Sequence, residues 1–89
     1  DLKLNSINYQ TMSDNVFLRL FAYELAKERK RLKLSQKRVI AETGIQIGRI
    51  ESYKNSITLR TYFALCNYLK IPLDLIPGRI EEERNNLEQ

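Results

Sequence analysis

Residues 35–51, SQKRVIAETGIQIGRIE, hold the most informative functional groups of the chain. Ser35 followed by Gln36 has the form of a short helix start. Thr43 with Gln46 three residues later fits a capping box that opens a second helix. In such a box the Thr hydroxyl accepts from the N3 amide and the Gln reaches back to the cap amide. Over that second helix, expected at about 43–52, Ile47 and Ile50 face one way, while Gln46 and Arg49 reach outward. Two short helices joined by a tight turn, the second polar on its outer side, meet the geometric needs of a segment that enters the DNA major groove.

Bond-breaking chemistry finds little support elsewhere. The chain has no His and one cysteine, Cys66. No intrachain disulfide and no Cys/His zinc site can therefore be built, and no cofactor or metal is expected. The carboxylates fall mostly on faces expected to be solvated, so no nucleophile–base pair emerges. A carboxylate-only site is the one catalytic arrangement left open, and the protein is read as a non-enzyme. Cys66 reads as a small buried hydrophobe.

With 89 residues, 43% apolar and 29% charged, the composition is that of one soluble domain with a small core. No signal-peptide pattern and no long apolar run is present, so a cytoplasmic protein without a membrane partner is expected. The net charge is +4, and its distribution says more than the total. Residues 24–54 carry nine Lys or Arg against four Glu, whereas 79–89 carry two against four. A basic middle with an acidic end suits contact with a polyanion, although a solvated helical surface would give the same count.

Several elements are needed to hold residues 35–51. Residues 1–12 alternate weakly (Leu2, Leu4, Ile7, Tyr9) and read as an N-terminal arm, a short edge strand or a flexible lead. Ser13 or Asp14 is a credible cap for a first helix over about 14–32. Val16, Phe17, Leu20, Phe21, Leu25, Arg29 and Leu32 form its inward row, and Glu24, Lys27, Glu28, Lys30 and Arg31 its solvent side. Lys33 occupies the following turn without a glycine, and Leu34 anchors the next helix. There Val39 and Ile40 point in, Lys37 and Arg38 out. Gly44 and Gly48 would each cost roughly 1 kcal/mol in a helix interior. Either a close approach needs them, or Gly44 belongs to the turn and the next helix starts later.

Thr58 caps a fourth helix carrying Tyr62, Leu65, Cys66 and Leu69. Pro72 is expected to open a short fifth helix and Pro77-Gly78 to stop it. This places the domain at 13–78. Residues 79–89 are left as an acidic tail, or as a short helix with Ile80, Arg84 and Leu87 that docks on a second subunit.

Residues 21–76 resemble the Cro/C1-type (Xre-like) helix-turn-helix family of phage and plasmid repressors and small bacterial transcriptional regulators. The resemblance rests on Leu34-Ser35-Gln36, on Thr43 through Arg49-Ile50-Glu51, on Thr58-Leu59, and on Leu69, Ile71, Leu73, Asp74 and Ile76. It implies an all-α, five-helix, lambda-repressor-like domain. Three departures stand out. The 35–51 unit is three residues shorter than the common pattern, Tyr53 stands where the family has Gly, and Ile57 where it has Pro.

The resemblance further implies which residues meet double-stranded DNA. Gly44, Ile45, Gln46 and Arg49 would meet base edges: Gln46 through adenine N6/N7, Arg49 through guanine O6/N7 or a phosphate, Ile45 through a thymine methyl unless it is a core residue of the turn. Gln46 would serve as cap or as reader, not both. Gln36, Lys37, Arg38, Lys54 and Asn55 are the phosphate candidates. Arg29 and Glu51 would form a structural ion pair. One such module has a small footprint, so a homodimer on two half-sites is expected, joined through the fifth helix and acidic end or through the N-terminal segment. The competing reading is a protein-interaction module, an antitoxin or adaptor whose helix-turn-helix surface binds a toxin or another regulator.

Overall fold

The structure, a computed structural model, describes residues 14–53 and 56–88. The expected arm at 1–12, the Ser13 cap, and the phosphate candidates Lys54 and Asn55 lie outside the described residues. Among the described residues five helices follow one another: α1 (Asp14–Arg31), α2 (Gln36–Thr43), α3 (Ile47–Glu51), α4 (Leu59–Leu69) and α5 (Leu75–Glu88). Their apolar stripes meet in one core of Phe21, Leu25, Val39, Ile47, Leu65, Leu69 and Ile76, with Tyr62, Cys66, Ile71 and Ile80 around it. Burial of this kind is the main favourable term in folding so short a chain.

The caps expected for α2 and α4 are in place. Ser35 Oγ accepts from the Arg38 amide at 3.0 Å, and Thr58 Oγ1 accepts from the Thr61 amide at 3.2 Å. Tyr62 and Cys66 are both buried on α4. Burial pushes the phenol of Tyr62 and the thiol of Cys66 up, so both stay protonated at neutral pH. The Tyr62 hydroxyl donates to the Leu73 carbonyl at 2.6 Å, tying α4 to the turn that precedes α5.

Three sequence expectations about the supporting helices need correction. Glu28, assigned to the solvent side of α1, is 3% exposed. It accepts from Arg31 at 2.9 Å and from Arg79 of α5 at 2.8 Å. Val16, Phe17 and Leu32, all placed in the inward row, are exposed, Leu32 lying past the end of α1. The helical stop expected at Pro77-Gly78 is absent. Pro77 is the third residue of α5, where an amide has no intrahelical acceptor and a missing N–H costs nothing. The Gly78 amide donates to Asp74 at 2.9 Å and the helix continues to Glu88. The stretch expected as an acidic tail or short helix is thus a continuation of α5. It packs on α1 of the same chain, with Ile80 buried and Arg79 bonded to Glu24 and Glu28.

The Glu28 contact has a pH signature. Burial works to raise its carboxyl pKa, but the hydrogen bonds from Arg79 and Arg31 outweigh burial, and the net shift is downward. A depressed folded pKa means the stabilisation is complete above the ordinary glutamate range. It is lost as the pH falls through the lowered folded value. Thermal melts taken between neutral and acid pH should therefore show a loss of Tm that Glu28→Gln, which has no carboxylate to protonate, shows less steeply. Parallel curves for the two proteins would remove Glu28 from the account.

Candidate nucleic-acid interface

The turn between α2 and α3 is built differently from the capping box. Thr43 is the last residue of α2, not a cap for α3. Its hydroxyl donates to the Val39 carbonyl at 2.7 Å and accepts from the Ile45 amide at 3.0 Å. Gly44 then takes φ +75°, and its amide donates to the Ile40 carbonyl at 2.8 Å. That left-handed cap is what glycine permits without strain, and it ends α2 one residue after Thr43. Helix α3 accordingly spans Ile47–Glu51 rather than 43–52. Gln46 precedes it and makes no side-chain capping bond, which leaves its carboxamide uncommitted to the helix end.

Five residues cannot hold a helix alone, so tertiary contacts must place α3. Ile47 is 1% exposed and Ile50 packs partly buried against the same core. The far end is fastened by charge. Arg29 donates from Nε to Glu51 Oε2 at 2.6 Å and from Nη2 to Glu51 Oε1 at 3.0 Å. Its remaining arm, Nη1, donates to the Leu34 carbonyl at 2.6 Å. One guanidinium thus joins α1, the α1–α2 turn and α3, a use of the fixed planar fork that lysine could not copy. Glu51 holds the Arg29 pKa above its ordinary value through these bonds.

Gln36 completes the anchor by donating from Nε2 to Glu51 Oε1 at 2.8 Å. A Cβ added at Gly48 would sit 3.2 Å from Gln36 Oε1, so the glycine in α3 lets the start of α2 approach closely. The amide of Gln36, one of the phosphate candidates, is therefore engaged with Glu51.

With its inner side and its end secured, α3 presents Gln46 and Arg49 outward, both exposed. Gly44, Ile45, Gln46 and Arg49 line one open groove together with Thr58 and Thr61 at the start of α4. Ile45 is half-buried in that groove and also packs against the core. Lys37 and Arg38 are exposed on α2. Arg38 lies 3.4 Å from Glu42, which also accepts the Tyr68 hydroxyl; that hydrogen bond, with the charge of Arg38 adding, holds the Glu42 carboxyl below its usual range.

One feature escaped sequence reasoning. Arg19, Tyr23 and Lys30 of α1 share a second groove with Gln36 and Tyr53, on the side of α3 away from α4. Their spacing along α1 could have marked the stripe. Nothing local could have shown that Tyr53 folds back to meet it.

Two short helices across a glycine-capped turn, clamped to a supporting helix and showing a polar outer edge, define the helix-turn-helix class of DNA-binding domain. A family model described as helix-turn-helix matches residues 25–76, and the chain belongs to that Cro/C1-type family of DNA-binding regulatory domains. The five-helix arrangement is the lambda-repressor-like fold. No curated protein and no solved structure matches the chain. Among the described residues no helix is long and apolar enough to cross a membrane.

Proposed function

We propose that the protein is a sequence-specific transcriptional regulator, a repressor that binds double-stranded DNA in the cytoplasm as a homodimer. Helix α3 lies in the major groove. Gln46 and Arg49 read base edges there, with Gly44 and Ile45 close to the bases. The observation that carries this reading is the exposed Gln46–Arg49 edge on a helix whose opposite side is locked to the core and to Arg29. Lys37, Arg38 and Lys54 neutralise phosphates, Asn55 donates a hydrogen bond to one, and Gln36 sets the approach of α2.

A homodimer follows from the size of the footprint, since a single module covers roughly 600–1,000 Å². Leu59 and Phe63, one turn apart on α4, are 86% and 53% exposed and give a second copy an apolar face to cover. Sedimentation over a range of concentrations checks the dimer, and Phe63→Ser should shift it toward monomer.

Selection of binding sites from random duplexes tests the function as a whole. A recovered two-fold symmetric site supports it. Salt-dependent binding without sequence preference would mark a generic DNA binder, and no duplex binding at low salt would favour the antitoxin or adaptor reading instead. Lys37→Ala should lower the slope of log K against log salt by about one unit without changing the selected site. An unchanged slope takes Lys37 out of the interface.

A further inference from the structure

We propose that the groove between α1 and α3 is a second binding site for the duplex, taking the sugar–phosphate strand that borders α3 on the side away from α4. This rests on the DNA-reading assignment and adds α1 and Tyr53 to the surface that does it. Arg19, Tyr23 and Lys30 recur along α1 at helical spacing and form one wall of the groove, above a floor made small by Ala22 and Ala26. Tyr53 closes the opposite side.

The charge in this groove is unbalanced. Among the described residues neither Arg19 nor Lys30 pairs with a carboxylate. The one carboxylate among the described residues lining the groove, Glu51, already has both oxygens bonded to Arg29 and one of them to Gln36. Two cations are left to face solvent. They lie eleven residues apart on α1, about 16 Å at helical rise. Against about 3.4 Å of rise per nucleotide on one strand, that length matches a run of phosphates rather than a single anion.

Tyr53 supplies the second, independent observation. Its φ is +48°, a conformation in which glycine is comfortable and a tyrosine is strained. The residue is 47% exposed, so it gains little burial to offset that strain. Instead the Arg19 guanidinium lies 5.2 Å over the ring centroid. A guanidinium held over an aromatic face is restrained and keeps N–H groups available for a phosphate, with the phenol as a further donor. The groove also borders Gly48 and Ser52, so α3 runs between two polar grooves as a helix in the major groove runs between two backbones.

The test uses the full chain with a mixed-sequence duplex, reading affinity against salt beside thermal stability. Arg19→Ala with Lys30→Ala should lower the salt slope by about two units and leave the selected sequence unchanged. Tyr53→Gly should raise Tm by relieving the backbone while weakening duplex binding roughly three- to tenfold. A tyrosine that only shapes the turn would give the rise in Tm with no loss of affinity. Should the parent chain bind with a steep salt slope that the double variant retains, with Tyr53→Gly binding as well as the parent, the groove assignment fails and the reading by α3 stands. A parent chain that binds no duplex removes both. Loss of polyglutamate binding with duplex binding intact would assign the groove to an acidic protein surface and overturn the proposal.

Discussion

Arg29→Ala is expected to destabilise the domain by about 3–5 kcal/mol, the range for breaking a buried ion pair by removing one partner. The side chains of Arg29 and Glu51 are 9% and 8% exposed, so neither charge is well solvated once the other is gone. The loss is compounded by geometry. The same guanidinium satisfies the Leu34 carbonyl, which would be left without that donor. For a domain of this length, each kcal/mol corresponds to roughly 4–8 °C in Tm, and total stability is typically only about 5–15 kcal/mol. The variant should therefore melt far below the parent, with the urea midpoint lowered and the slope unchanged. Replacing both partners, Arg29→Met with Glu51→Leu, should recover much of the loss, because no charge then remains buried alone. A change below about 1 kcal/mol in the single variant would mean that solvent screens the pair as it does at a surface. The double replacement also separates folding from function: a stable domain without the clamp should still bind DNA less tightly, since the packing of Ile47 and Ile50 then holds α3 without the directional Arg29 fork.

Arg49→Ala is expected to reduce discrimination at one base step by about 1–3 kcal/mol while leaving stability nearly unchanged. The residue is exposed, and its bonds among the described residues, its amide to the Gln46 carbonyl at 3.1 Å and the Ser52 hydroxyl to its carbonyl at 2.9 Å, are to backbone atoms that alanine keeps. Site selection repeated with the variant supplies the measurement. Relaxed preference at a single position in each half-site assigns Arg49 to a guanine edge, whereas uniform weakening across all sequences, with a shallower salt slope, assigns it to a phosphate. Arg49→Lys sharpens the comparison. Lysine keeps the charge but not the bidentate fork, so it should restore a phosphate contact more fully than a base contact.

How much of this could be read from the chain depends on how local each signal is. Ser35 and Thr58 were legible as caps because a hydroxyl reaches an amide three residues away and needs no other element. The core stripe of α4 was legible from period alone, whereas the positive φ at Lys33 and Tyr53 was signalled only by a turn without glycine and by the family's usual Gly at position 53. The capping box at Thr43 and Gln46 satisfied the same local rule and was nonetheless wrong. Two helix ends compete for the same three residues there, and Gly44 in the left-handed conformation settles them in favour of ending α2.

Residue types and spacing, together with the family resemblance, therefore established an all-helical domain, the Ser35 and Thr58 caps, most of its core and the stretch that faces outward. Tertiary structure alone decided where α3 begins and that α5 runs through Pro77. It also decided that Glu28 is buried and that Arg19 meets Tyr53. The reason is range: Arg79 reaches Glu28 across 51 residues and Glu24 across 55. Contacts between residues so far apart leave no mark on the pattern of neighbours from which helices are read.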